Sequence, residues 1–164
     1  MKTEMLAEEM LSYFTYHPFQ LSQLCESLIA QVQDTTSDYY HNLRLLMADA
    51  YTKLLNNRMQ VEYHTLDELR REEGVSTRRL SKAEKDEILE EQLKLFEARA
   101  IDVYSALLHI DKYEARCIKG LGHIAYYTED YQEAKQRLES YLLLDQAANK
   151  RYITLLINKC NEKL

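Results

Sequence analysis

The sequence predicts an all-α fold on three observations. Glycine and proline number only 3 and 1 among 164 residues, and strand-rich folds need more turn-forming residues than that. Apolar residues recur at the three- and four-residue spacing of helices through most of the chain. A spacing of 34 residues, typical of stacked helical hairpins, relates two sets of residues: Ala100, Tyr104, Ile110 and Asp111, and then Ala134, Leu138, Leu144 and Asp145.

The N-terminal region, residues 1–73, is predicted to be helical. A first helix is expected over Thr3–Thr15, and it should end at His17 because the residue before a proline avoids the helical conformation. Pro18 suits the first turn of a second helix, which should run to about Gln33.

Two polar breaks divide the rest of this region. Residues 34–37, Asp-Thr-Thr-Ser, are rich in N-cap residues and should open a third helix. Asn56-Asn57 should end it. The segment Arg58–Glu73 has few apolar residues and predicts at most a short fourth helix.

Residues 74–82 are predicted to be a linker, and residues 83–164 a second helical region. Ser81 followed by Glu84 forms a capping-box pattern. The apolar stripe that follows continues to Ile110 without a breaker, which predicts one helix of about 28 residues. The remaining helices are expected at Tyr113–Tyr127, Tyr131–Leu144 and Asn149–Cys160. At this length, one compact domain and two small ones are both possible.

Composition and charge limit the classes of function. The net charge of -6 does not favour binding to the phosphate backbone of nucleic acids. The three cysteines have no CxxC spacing, which favours a reducing compartment, and the acidic start is unlike a signal peptide. No apolar run approaches the length of a membrane span. We therefore expect a cytoplasmic protein with no nucleic acid and no membrane among its partners.

The segment Ala115–Ala148 resembles a tetratricopeptide repeat (TPR). Leu121-Gly122 matches the family pattern, and so does the stretch from Asp130 to Ala134 at the start of the second helix. The segment departs from the pattern at Ala125, where an aromatic residue is usual. The resemblance implies a TPR-like hairpin array, an α-α superhelix, with a helical N-terminal extension. A coincidental pair of amphipathic helices is the alternative.

The resemblance also implies a function and a site. TPR proteins are non-enzymatic protein–protein interaction modules or adaptors, and the first helix of each unit lines the groove that binds a partner peptide or helix. Applied to this chain, the resemblance predicts partner-binding residues on the helix near residue 120: Arg116, Lys119, His123, Tyr126 and Tyr127. Arg44 would join them, because the sequence around it weakly resembles the same helix of the repeat. The alternative to a binding site is that the cations lie on a solvated helix face and the tyrosines pack in the core.

Other functions stay open. The stretch from Tyr104 to Arg116 is similar to the same region of class II chaperones of type III secretion systems, which implies a cytoplasmic chaperone of a secretion system. The tyrosine-rich surfaces would also suit a structural subunit of a homo-oligomer or fixed complex. We expect no enzyme, no cofactor and no metal, because no HExxH motif, glycine-rich phosphate loop or positioned nucleophile–base pair is visible.

Overall fold

A computed structural model describes residues 9, 11, 12, 14, 16–74, 76–145 and 150–164. No β-strand occurs in this part of the chain, and the all-α prediction is confirmed. The predicted first helix, Thr3–Thr15, lies largely outside the described residues. The described α-helices are α1 (Pro18–Gln31), α2 (Asp38–Leu55), α3 (Arg58–Glu72), α4 (Lys82–Leu107), α5 (Asp111–Tyr127), α6 (Tyr131–Leu144) and α7 (Lys150–Lys163).

Side-chain caps set the starts of several helices. Ser37 accepts a hydrogen bond from the backbone N–H of Tyr40 at 3.2 Å and opens α2. Asn57 caps α3 in the same way, so the two predicted breaks are confirmed. Ser81 and Glu84 form the predicted capping box at the start of α4. Asp130 caps α6, whose bounds are those predicted.

Two predicted boundaries differ from the structure. The segment predicted as a short helix forms α3, which has 15 residues although Val61 is its only fully buried one. The single long helix predicted through Ile110 is present as α4, but it ends at Leu107 after 26 residues, three residues before the predicted end. Ile110 is instead the N-cap residue of α5, and 38% of it is exposed, so it does not extend the buried stripe.

The largest hydrophobic cluster joins helices from both sides of the predicted linker. It contains Tyr51 of α2, Val61 of α3, Phe96 of α4 and Leu121 of α5, all buried. The connection itself holds a short 3-10 helix, Thr77–Arg79. The helices on either side of this connection therefore pack into one core.

Two smaller clusters lie at the ends. One joins α1 and α2 around Cys25 and Leu43. The other joins α5, α6 and α7 around Leu138 and Ile153, so α7 closes the C-terminal end of the described chain. None of the described helices is both long and apolar enough to span a membrane.

Candidate functional site

Two glycines set the packing of α5. A Cβ atom on Gly122 would lie 3.0 Å from Cδ2 of Leu138, so α5 and α6 approach closely at the expected glycine. A Cβ on Gly120 would overlap the ring of Tyr104 from α4. The family pattern pointed to Gly122 but not to Gly120, because the Tyr104 contact depends on how α4 lies across α5. These two contacts set how closely α5 packs against α4 and α6, and α5 carries most of the predicted site residues.

Arg116 pairs with Asp49 of α2. Its Nη2 and Nε donate hydrogen bonds to Oδ2 of Asp49 at 2.8 and 3.2 Å. Asp49 also accepts a hydrogen bond from the hydroxyl of Tyr104 at 2.5 Å, and that hydroxyl lies 3.2 Å from Oγ1 of Thr52. Burial, followed by the charge of Asp49, raises the pKa of Tyr104. Arg116 therefore joins α5 to α2, although 37% of its side chain stays exposed.

Lys119, His123 and Tyr127 form a cation–aromatic surface with α6 and α7, which we call the α5–α7 surface. The ring of His123 lies 6.1 Å from that of Tyr127 and 6.2 Å from that of Tyr152, between centroids. Lys119 Nζ lies 5.6 Å from the ring centroid of Tyr141. Lys119 is exposed, and so is 46% of Tyr152. The surface thus combines an accessible ammonium group with accessible ring edges.

Burial sets the charge states on this surface. It lowers the pKa of His123 from its usual value near 6.5, so the imidazole is neutral at neutral pH. Nδ1 of that ring lies 2.9 Å from the backbone carbonyl of Lys119, which orients it. Burial, together with the hydroxyl of Tyr152, raises the pKa of Tyr127 to about 12. At neutral pH, Lys119 supplies the positive charge and the tyrosines supply neutral hydroxyls.

Tyr126 faces a different neighbour from the rest of the predicted set. Its ring lies 5.8 Å from that of Tyr131, at the start of α6, and it packs against the cluster of Ala134 and Cys160. Adjacent residues on a helix point about 100° apart, and the ring of Tyr126 meets that of Tyr127 only at its edge, with 5.9 Å between centroids. Tyr126 therefore contributes to the packing of α5 against both α6 and α7.

Arg44 lies in a separate groove between α1, α2 and α4, with a volume of about 360 Å³. Its Cζ lies 5.5 Å from the ring centroid of Tyr40. The apolar lining is Ile29, Ala30, Met47 and Val103, and the charged lining is Glu26, Arg44, Arg99 and Asp102. We call this the Arg44 groove. The other five predicted residues do not line it. No local sequence pattern could reveal this groove, because its walls come from three separate helices.

A larger cleft of about 500 Å³ lies between α1 and α3. Phe19 stacks on His64 in its wall, with 4.1 Å between ring centroids. Burial, together with the neighbouring carboxylates of Glu72 and Asp67, raises the pKa of Glu68 in this cleft. Sequence reasoning missed this cleft as well, since α3 was expected to be short.

The described residues show no group of three metal-ligating side chains. Burial raises the pKa of Cys25 to about 12 and that of Cys117 to about 11, so both thiols are protonated at neutral pH. Comparisons of the chain with protein-family models, with curated proteins and with solved structures each gave no match.

Proposed function

We propose that the chain is a non-enzymatic protein-binding module built on TPR-like hairpins, and that it holds a partner peptide or helix on the α5–α7 surface. The observation that carries this proposal is the aromatic contact of His123 on α5 with both Tyr127 of the same helix and Tyr152 of α7. Beside these rings lies Lys119, whose Nζ is over the ring of Tyr141 on α6. In a TPR-like array, α5 and α7 would be the first helices of successive units.

Burial of equivalent positions supports the repeat. Ala100 and Ala134 are both fully buried, and so are Tyr104 and Leu138. Outside the core the equivalence continues, because Ile110 and Leu144 are 38% and 48% exposed. Three of the four predicted pairs therefore have similar exposure, which supports successive units of one array; Asp111 is exposed and Asp145 is half-buried.

The chemistry of the surface suits a peptide. Lys119 offers a charge-assisted hydrogen bond to a carboxylate, and the rings of Tyr127 and Tyr152 offer flat apolar area with hydroxyl groups at the edge. Neutral His123 between the rings adds no repulsion toward a basic residue of the partner. Such a surface binds an extended or helical segment through a few anchors.

Site-specific photocrosslinking tests this proposal. A photoreactive phenylalanine analogue would replace Tyr152, and a control chain would carry it at Met59 of α3, which is 83% exposed. We expect one partner to be captured from position 152 and not from position 59. The capture should fall when Lys119→Glu and Tyr127→Ala are combined in a chain whose circular dichroism is unchanged. Equal capture at both positions, or capture insensitive to the double substitution, would overturn the assignment.

A structural subunit is the second candidate, and exposed leucines at the C-terminal end favour it. Leu143, Leu144 and Leu155 are 80%, 48% and 50% exposed. Exposed apolar side chains grouped on neighbouring helices often mark an interface. Sedimentation over a range of concentrations would show association that Leu143→Lys and Leu155→Lys abolish. A monomer at every concentration would contradict this candidate.

A further inference from the structure

One end of the Arg44 groove is neutralised by groups of the chain itself. Nη1 of Arg99 donates hydrogen bonds to Oε1 of Glu26 at 2.9 Å and to the hydroxyl of Tyr51 at 3.2 Å. The Tyr51 hydroxyl donates to the same carboxylate of Glu26. Arg99 and Glu26 thus neutralise each other as an ion pair, so neither is a strong charged contact for a ligand.

Arg44 differs from Arg99 in this respect. Its guanidinium lies over the ring of Tyr40, and it makes no ion pair with any residue of the described part of the chain. The side chain is half-buried, so the ring of Tyr40 holds it against the groove. A planar guanidinium that is oriented but unpaired is suited to bidentate recognition of a carboxylate.

The rest of the groove lining indicates which side chains of a ligand would bind next to that carboxylate. Ile29, Ala30, Met47 and Val103 give the groove an apolar floor. Its volume of about 360 Å³ is near the lower end of ligand pockets, which suits one or two aliphatic side chains rather than a whole helix. Asp102 is exposed on the α4 wall and repels a second carboxylate there, so only one orientation of an acidic segment is favoured.

We propose that the Arg44 groove binds a short peptide segment in which a large aliphatic side chain lies next to a carboxylate. The aliphatic side chain fills the apolar floor and the carboxylate pairs with Arg44. This inference rests on the proposed function, to which it adds a second recognition point with its own partner chemistry. Arg44 has no ion-pair partner among the described residues, so charge complementarity selects an acidic peptide over a basic one.

Selection from a phage-displayed library of random peptides tests the inference with the full chain as bait. We expect enriched peptides to carry Asp or Glu beside Leu, Ile or Met. Their affinity, measured by fluorescence anisotropy, should fall about tenfold or more with Arg44→Glu, since a charge-assisted pair is lost. Ala30→Trp, which fills the groove from an exposed position, should have a similar effect. Arg78→Glu is the matched control, because Arg78 is exposed and outside the groove.

The outcomes separate this inference from the proposed function. Peptides that depend on Lys119 and Tyr127 but not on Arg44 would support the α5–α7 surface and overturn the groove. Peptides that depend on Arg44 and Ala30 support the groove whatever the α5–α7 surface does. Failure to enrich any peptide, or enrichment of peptides without a carboxylate, overturns the inference.

Discussion

The ring of Tyr104 lies directly against the backbone of Gly120, where a methyl group would come within 2.7 Å of Cε1 and closer still to Cζ. Tyr104 is fully buried, and its hydroxyl, which is carried by the ring atom nearest to Gly120, donates a hydrogen bond to Asp49. The ring therefore cannot move away from α5 without losing that hydrogen bond. The absence of a side chain at Gly120 determines how closely α4 and α5 pack.

Gly120→Ala is expected to destabilise the fold. Overpacking a filled core costs about 1–3 kcal/mol, and the better helix propensity of alanine returns about 1 kcal/mol of it. The added methyl would overlap three atoms of a buried ring, so the cost lies in the upper part of that range, about 2–3 kcal/mol. The predicted net loss is therefore about 1–2 kcal/mol in the free energy of unfolding, measured by urea denaturation. Gly122→Ala should cost less, because the added methyl meets the flexible end of Leu138 at 3.0 Å. A Gly120→Ala chain as stable as the wild type would refute this account of the contact.

The hydrogen bond between Tyr104 and Asp49 should contribute more to stability than the ion pair between Asp49 and Arg116. The hydroxyl is buried, and a hydrogen bond to a charged group contributes about 1.5–3 kcal/mol. Both side chains of the ion pair are more than a third exposed, so solvent limits its contribution to about 1 kcal/mol or less.

Double-mutant cycles measure this ranking. One cycle combines Tyr104→Phe with Asp49→Ala, and the other combines Arg116→Gln with Asp49→Ala. We expect the larger coupling energy in the first cycle. The reverse order would show that the ion pair is the main link between α2 and α5.

Stability should fall at alkaline pH partly through Tyr51. Burial, together with the hydrogen bond to Glu26, raises its pKa from 10.0 to about 12. A group whose pKa is raised by folding contributes stability that is fully present below its unfolded pKa and is lost as the pH rises through the folded value. The loss should therefore run from about pH 10 to about pH 12.

Tyr51→Phe should flatten this part of the stability profile, followed by urea denaturation at a series of pH values. The pKa shift of Tyr51 corresponds to about 2–3 kcal/mol in the free energy of unfolding, and the side chain is only 1% exposed, so solvent does not reduce it. Tyr16→Phe is the control, since that residue is 90% exposed. An unchanged slope in the Tyr51→Phe chain would contradict the prediction.

Ser81→Ala should destabilise the start of α4. Its Oγ accepts a hydrogen bond from the N–H of Glu84 at 3.1 Å, and loss of such a cap costs about 1 kcal/mol. Thermal unfolding of the variant should show a lower midpoint. Ser76→Ala serves as the control, because Ser76 makes no side-chain cap. Ser81→Asp should largely restore stability, whereas equal stability of all these chains would show that the cap contributes nothing.

The sequence predicted helix ends well where the signal is local. Ser81, Asn57 and Asp130 cap helices that begin within two residues of their expected positions. It was less successful where tertiary contacts decide. The helix α3 has one fully buried residue, and its 15 residues are helical because they pack on α4 rather than because of a strong apolar stripe.

The site was predictable only in part, for the same reason. Helical spacing and the family resemblance selected Lys119, His123 and Tyr127, and the structure brings them together. No local pattern could show that Arg116 pairs with Asp49, which is 67 residues earlier in the chain. Nor could it show that Arg44 faces α1 and α4, because that depends on how three helices pack.

The core that crosses the connection between α3 and α4 has a consequence for cutting the chain. Arg78 and Arg79 are exposed in that connection, and the two resulting pieces would still share the cluster around Tyr51 and Phe96. A single tryptic nick there should leave a noncovalent complex that migrates as one species in native conditions. Separately expressed pieces should likewise reassemble, which would make this connection a practical position for a split reporter.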